Sequence, residues 1–256
     1  MSWCVKEVSK IDRENLEMLV DGRLGGLVVR SFLDGLDLEQ VATLARTHAY
    51  GSYPQVGSSL KKIGVSQSEF FGVENGEEAY FDEVELFIRN QELVDAARRS
   101  LLRKFSHAIS NSGYKVSTLK GTNGRDYCAG VFRLAEGLAL HSDWVPRDAV
   151  GWPNDDVAAQ IAINLHISQG HGGGELEIFR RWWEPHHEQL KLAGYGYQRS
   201  VVEGAEMVVI RPKNGDLVLF NCRNFHEVRP VSSGRRVSFG IHAGFKPDIE
   251  EIVFWS

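Results

Sequence analysis

Pro212-Lys213-Asn214-Gly215-Asp216-Leu217-Val218-Leu219-Phe220 runs into Asn221-Cys222-Arg223-Asn224-Phe225-His226, continues through Glu227-Val228-Arg229-Pro230-Val231, and after Ser232-Ser233-Gly234 reaches Arg235-Arg236-Val237-Ser238. Asn214-Gly215 is a strong turn signal, and the apolar run Leu217 to Phe220 reads as a short buried strand. Ser232-Ser233-Gly234 makes the next turn. A further strand then opens at Arg236. Strand side chains alternate, so Arg236 and Ser238 share one face and Arg235 points to the other. A guanidinium fork beside a hydroxyl suits a carboxylate.

His141-Ser142-Asp143 lies well upstream. With one residue between them, the two side chains would project to the same side of a strand. A His-x-Asp tripeptide alone is common and carries little weight. Joined to His226, it supplies two imidazoles and one carboxylate. These can occupy one face of an octahedral metal and leave the other face open, the ligand set of non-haem Fe(II) oxygenases. Arg236 a short reach away suggests a keto acid that chelates the iron at one end and pairs with arginine at the other. A three-histidine site of His141, His166 and His226 is the competing arrangement. In the main reading, His166 and Asn164 share one face of a strand and contact substrate or support the site.

The chain resembles the Fe(II)/2-oxoglutarate-dependent oxygenases, in particular the prolyl 4-hydroxylase-like branch. The resemblance rests on four motifs in order: His141-Ser142-Asp143, Gly173-Gly174-Glu175-Leu176, Pro212 to Phe220, and His226 to Arg236. It is closer still to the free-standing natural-product hydroxylases and carbon halogenases, through Gln160 to Asn164, Tyr195-Gly196-Tyr197 and Phe220 to His226. It implies a double-stranded β-helix, a cupin-like jelly roll that is mainly β with supporting helices. It also implies Fe(II), 2-oxoglutarate and O2 as cofactors, with succinate and CO2 released. His141, Asp143 and His226 would be the metal ligands. Arg236 and Ser238, with Arg133 as a weaker candidate, would bind 2-oxoglutarate; a structural ion pair is the other reading of Arg133. The halogenases replace the carboxylate ligand with a small residue to admit halide. Asp143 is retained here, so oxygenation of an unactivated C–H bond is expected. A small free-standing substrate is expected too. A prolyl-type protein hydroxylase and a non-catalytic metal-binding jelly roll remain alternatives.

One oxygenase domain is expected over 1–256, with a helical and mixed support layer at 1–118 and the jelly-roll core at 119–256. In the first part, residues 26–33 read as a strand. Asp37 is expected to cap a helix running to about Ala49. A second helix is expected from about Asn90 to before Gly113, with Val94, Leu101 and Phe105 on one stripe. Residues 51–81, rich in Gly, Ser and aromatics, read as a loop. In the second part, strands are expected at 126–135, 157–168, 174–180, 201–211, 216–221 and 236–243, and Ile252 to Trp255 is a candidate last strand.

Trp144, Tyr80 and Phe81 are candidates for the substrate pocket, because aromatics often line such cavities, and burial against the support helices is the equal alternative. His186-His187 reads as a solvated pair, His171 as a turn residue and His242 as an ordinary strand histidine. The chain has 256 residues, 43% of them hydrophobic, enough for a sizeable core. A net charge of −5 argues against general affinity for nucleic acid or anionic membrane. Met1 to Asn15 has no apolar core of a secretory signal, and no apolar run approaches a membrane span. Three cysteines without Cys-x-x-Cys spacing fit reduced thiols in a cytoplasmic protein.

Overall fold

A computed structural model describes residues 3–53 and 57–256. Its elements in chain order are β1 (Val5–Glu7), α1 (Arg13–Val20), β2 (Gly26–Val29), α2 (Gly35–Thr47), β3 (Gly51–Tyr53), β4 (Gly57–Ile63), α3 (Gly76–Asn90), α4 (Glu92–Ser110) and β5 (Lys115–Thr118). There follow β6 (Val131–Ala135), β7 (Leu138–His141), α5 (Val145–Asp148), β8 (Ala159–Ser168), β9 (Leu176–Trp182), β10 (Met207–Ile210), β11 (Leu217–Asn221), β12 (Asn224–Val228), β13 (Val237–Lys246) and β14 (Glu251–Trp255).

Two sheets form the double-stranded β-helix. The larger has the order β1-β2-β11-β8-β13-β6-β4-β3, with β14 against β13 and β5 against β14; the smaller has the order β10-β9-β12-β7. The N-terminal region therefore supplies strands as well as helices: β2 pairs with β11, and β4 pairs with β6.

The period-two alternation of β8 and β13 divides the large sheet into two faces. Ile161, Ile163, Leu165 and Ile167 of β8, with Val237, Phe239, Ile241 and Ala243 of β13, join one core cluster with the helices. From the helices come Leu16 and Leu19 of α1, Ala45 of α2, Phe87 of α3, and Val94, Leu101 and Phe105 of α4. Leucine, isoleucine and phenylalanine at these positions each remove apolar surface from water worth about 1.5–3 kcal/mol. The opposite face carries Gln160, Ala162, Asn164 and His166 on β8, and Ser238 and His242 on β13. A second core cluster lies between the sheets, where Val28, Val218 and Phe220 meet Leu176, Ile178 and Val228.

Several expectations need correction. Residues 51–81 are not a loop: they contain β3, β4 and the start of α3, with 54–56 outside the described residues. The inward stripe of α3 is Tyr80, Phe81, Val84 and Phe87. The helix expected from about Asn90 is α4, which starts at Glu92 and follows α3 directly. The N-cap of α2 is Asp34, while Asp37 sits in its first turn and pairs with Lys104 at 3.0 Å. The strand expected at 126–135 begins only at Val131, and that at 201–211 only at Met207. Ile252 to Trp255 does form a strand, β14, whose partners β13 and β5 lie on either side. Met1 and Ser2 of the charged N-terminal stretch lie outside the described residues.

Gly130 has φ +103, and a Cβ there would collide with the buried ring of Phe239. Gly151 has φ +85 but nothing near it. Gly130→Ala should therefore cost at least about 2 kcal/mol in urea denaturation, from overpacking added to backbone strain. Gly151→Ala should cost only the strain, about 1 kcal/mol.

Candidate metal centre

His141 ends β7, and His226 lies directly opposite it on β12. Their ring centroids are 4.1 Å apart. Asp143 lies just beyond the strand, held there by its N–H donating to the Cys222 carbonyl at 2.9 Å. Nε2 of His141 and Nε2 of His226 are each 3.8 Å from Asp143 Oδ2. One ligand atom from each residue falls within 4.8 Å of the others, a spacing that one metal ion can bridge.

The donor chemistry fits such an ion. Nδ1 of His141 lies 2.8 Å from the Ala139 carbonyl, and Nδ1 of His226 lies 2.9 Å from the Asn224 carbonyl. A carbonyl only accepts, so each Nδ1 carries the proton and each Nε2 presents a lone pair towards Asp143. Hydrogen bonds of this kind orient and strengthen metal-binding imidazoles. Burial, reinforced by the neighbouring His141, lowers the His226 pKa to about 3, and burial likewise lowers that of His141 despite the nearby Asp143. For Asp143, burial alone would raise the pKa. His141, His242 and His226 together outweigh it and keep the carboxyl well below its usual range. Neutral imidazoles and an ionised carboxylate are the protonation states a metal requires. His166 is not within this group, so the three-histidine arrangement does not form.

The segment carrying Asp143 is pinned from several sides. Ser142 Oγ donates to the Arg223 carbonyl at 3.0 Å, and Arg147 Nη2 donates to the Ser142 carbonyl at 2.6 Å. The Arg223 guanidinium stacks between the rings of Trp144 and Trp182, at 4.8 and 4.9 Å from their centroids. Gln160 Oε1 accepts from the Val145 N–H at 2.8 Å and ties the loop to β8.

The triad opens into a cavity of about 490 Å³. Arg236, Ser238, Arg133, Asn164, His166 and Trp144 all line it. Arg236 is 7% exposed, and burial pushes its pKa down to about 10, so it remains a cation at neutral pH. Its Nε lacks a hydrogen-bond partner among the described residues. Arg133 approaches Asn164 across Gly240, where a Cβ would collide with the Arg133 Nη1 and Asn164 Oδ1 atoms.

Tyr80 and Phe81, expected at the substrate site, lie elsewhere. They face inward from α3 into an aromatic cluster with Tyr127, at centroid distances of 4.9 and 5.2 Å. The Cys128 N–H donates to the Tyr80 hydroxyl at 2.9 Å. Their positions on the buried stripe of a helix, rather than in a loop, explain the difference. His187 is likewise buried, not solvated: its Nδ1 accepts from the Glu184 N–H at 3.0 Å, and its ring meets Phe225 edge-on.

Two cavity residues escaped the sequence reading. His242 Nε2 lies 3.6 Å from Asp143 Oδ2, and the Tyr195 ring packs over His141 at 5.2 Å. Extending the Arg236/Ser238 alternation by four residues would have found His242. Tyr195 belongs to the Tyr-Gly-Tyr motif, whose role had no reading.

Residues 3–256 match the family described as carrier-protein-independent halogenase WelO5. The chain is 34% identical over 146 residues to a leucinostatins biosynthesis cluster protein of Purpureocillium lilacinum, covering 52% of this chain and 60% of that protein. It is 33% identical over 136 residues to an L-gamma-glutamyl-L-propargylglycine hydroxylase of Streptantibioticus cattleyicolor, covering 52% of this chain and 50% of that one. The matches thus span between half and three fifths of the relatives' length. Among solved structures, an N-substituted L-amino acid dioxygenase of Burkholderia ambifaria in complex with alpha-KG superposes with a TM-score of 0.60 at 15% identity, over 95% of this chain and 90% of that one. At that identity the likeness shows the shared jelly-roll fold.

Asp143→Ala should lower affinity for Co(II), a spectroscopic substitute for Fe(II), by more than the 10- to 100-fold typical of losing a residue that merely supports a ligand. Visible absorption titration measures it. From end to end of the described residues, the chain belongs to the carrier-protein-independent halogenase WelO5 family, with a carboxylate retained beside its two histidines.

Proposed function

We propose that the chain is a non-haem Fe(II)- and 2-oxoglutarate-dependent oxygenase. It hydroxylates, desaturates or cyclises an unactivated C–H position of a small free-standing natural product or amino-acid-like molecule. One observation carries this reading: the cavity that holds His141, Asp143 and His226 also holds a buried Arg236 whose Nε has no partner among the described residues. A buried charge without a partner is costly, so the cavity is built for an anion. A keto acid that reaches from the metal to Arg236 meets that need.

His141 and His226, through Nε2, and Asp143, through a carboxylate oxygen, would hold the iron. When bound, Fe(II) with 2-oxoglutarate and O2 supplies the oxidising power to break a C–H bond. Arg236 and Ser238 would hold the far carboxylate of 2-oxoglutarate. Leu60, Phe71 and Leu138 give the cavity apolar wall, while Arg133, Asn164, Trp144 and Tyr195 are among the lining groups able to orient a substrate.

Oxygenation is favoured over halogenation because Asp143 occupies the position that must be vacated for halide. The relative from Streptantibioticus cattleyicolor, a hydroxylase of a modified dipeptide, supports a small amino-acid-like substrate. A cavity of about 490 Å³ is of the size that accepts such molecules.

We further read the chain as one oxygenase domain without nucleic-acid or membrane partners, active in the cytoplasm. Among the described residues no helix is long and apolar enough to cross a membrane. Cys4, Cys128 and Cys222 are all unpaired, in keeping with a reducing compartment.

Anaerobic addition of Fe(II) and 2-oxoglutarate should produce a weak visible charge-transfer band. A metabolite screen should then find substrates that stimulate O2-dependent succinate release, giving hydroxylated, desaturated or cyclised products free of chlorine even in chloride buffer. Absence of the band, or succinate release unimpaired by Asp143→Ala, would overturn the assignment. Arg236→Ala should weaken 2-oxoglutarate binding about tenfold or more, as expected for loss of a charge-assisted hydrogen-bonded pair.

A further inference from the structure

Beyond the triad, a second set of donor atoms meets at Asp143. Its carboxylate, the Cys222 thiol and the His242 ring each offer one ligand atom, and these atoms lie within 4.8 Å of one another. Nε2 of His242 is 3.6 Å from Asp143 Oδ2, the oxygen that also faces His141 and His226. At zinc bond lengths of about 2.0–2.3 Å, two donors of one tetrahedral ion stand roughly 3.5 Å apart. The pair is therefore spaced for a single ion to bridge.

The strands gather the three residues at one end of β8. Cys222 follows β11, whose Asn221 pairs with Ile161, and His242 on β13 pairs with Ala162. The Cys222 N–H donates to the Gln160 carbonyl at 3.2 Å, and the Cys222 carbonyl accepts from the Asp143 N–H at 2.9 Å. Thiol and carboxylate thus stand on backbones bonded to each other. Asp143 and His242 line the cavity and give an ion its way in, while the thiol lies behind them, fully buried. The hydrogen bond from the sulfur to the Gln160 carbonyl is weak, at 3.5 Å.

The two donor sets differ in softness. The triad offers two imidazoles and a carboxylate, whereas this set replaces one imidazole with sulfur, which favours zinc or cadmium over harder ions. Burial, reinforced by the Asp143 charge, holds the thiol pKa well above its ordinary value. The sulfur therefore keeps its proton until an ion with high affinity for thiolate displaces it to solvent.

We propose that Asp143, Cys222 and His242 form a second metal site, overlapping the triad, that takes a thiophilic divalent ion such as Zn(II). Because both sites use Asp143 Oδ2, an ion in one excludes an ion from the other, and a chain that holds Zn(II) there cannot load the triad. The inference needs no 2-oxoglutarate and holds whatever reaction the triad supports.

The test uses Cd(II), a spectroscopic substitute for Zn(II), on the metal-free protein, and follows thiolate-to-cadmium charge transfer in the ultraviolet. The band should saturate with a single ion per chain and disappear in Cys222→Ser. His242→Leu should weaken Cd(II) binding about tenfold or more, as for loss of a metal contact. Competition reads the overlap. Mn(II), a hard ion that avoids thiolate, is bound at the triad and measured by the electron paramagnetic resonance of the free ion. Zn(II) should expel it, and Cys222→Ser should raise the Zn(II) needed about tenfold or more while leaving Mn(II) affinity unchanged. Absence of the band overturns the proposal, as does a band that survives Cys222→Ser and so comes from Cys4 or Cys128. Equal Zn(II) competition in wild type and Cys222→Ser also overturns it, since the zinc then sits in the triad. If Cys222→Ser loses Mn(II) as well, the variant is misfolded and His242→Leu decides: unchanged Cd(II) affinity there overturns the proposal. In each of these cases, wild-type Mn(II) binding that Asp143→Ala abolishes leaves the triad standing.

Discussion

Backbone pairing between β7 and β12 sets His141 opposite His226, and the candidate metal centre depends on that register. Side chains alternate along a strand, so a slip of one residue would turn one imidazole out of the cavity and part the donor atoms. The register is protected by what surrounds it. The Asp143 N–H is tied to Cys222, and the next loop is held by Arg147, Gln160 and the Trp144–Arg223–Trp182 stack. Carbonyls of Ala139 and Asn224, both in the strands that carry the histidines, fix the ring tautomers. The same two strands therefore set where the two histidines stand and which nitrogen each presents.

The large sheet serves as a partition. Its outer face is an aliphatic and aromatic layer pressed onto the helices. Its inner face carries Gln160, Asn164, His166, Arg236, Ser238 and His242, polar groups that a closed core would not tolerate. The outer layer makes the inner face affordable: β8 and β13 are locked by Ile161 to Ile167 and by Val237 to Ala243, so their polar sides need not contribute to folding. Polar groups in the cavity can then stay unsatisfied until a ligand arrives. Arg236 and His166 are the clearest cases, each with a buried nitrogen that meets no partner among the described residues.

The chain belongs to a family described by a halogenase and carries a carboxylate, Asp143, beside His141 and His226. On the reading proposed above, the two imidazoles and the carboxylate would together hold the ion, and Asp143 would fill the place a halide needs. His242, 3.6 Å from the same carboxylate, places a third imidazole against it.

Much of this was legible in the linear chain. The triad His141, Asp143, His226 and the pair Arg236, Ser238 show as motifs because strand alternation makes short spacings predictive of shared faces. The jelly roll shows in its run of short strands, and β8, β9, β11 and β13 fall close to where their apolar patterns end. The failures share one cause. Residues 51–81 read as loop from their Gly, Ser and aromatic content, yet tertiary packing forms strands and a helix there, and Tyr80 and Phe81 go to the core instead of the cavity. Likewise His187 finds its partner in Glu184 and its cover in Phe225, neither of which a solvated His-His pair would need. Local pattern determines which residues share a face of one strand. Which face meets the helices, which strand lies opposite, and hence which buried donors remain without acceptors are decided by long-range pairing, and only the assembled sheets reveal it.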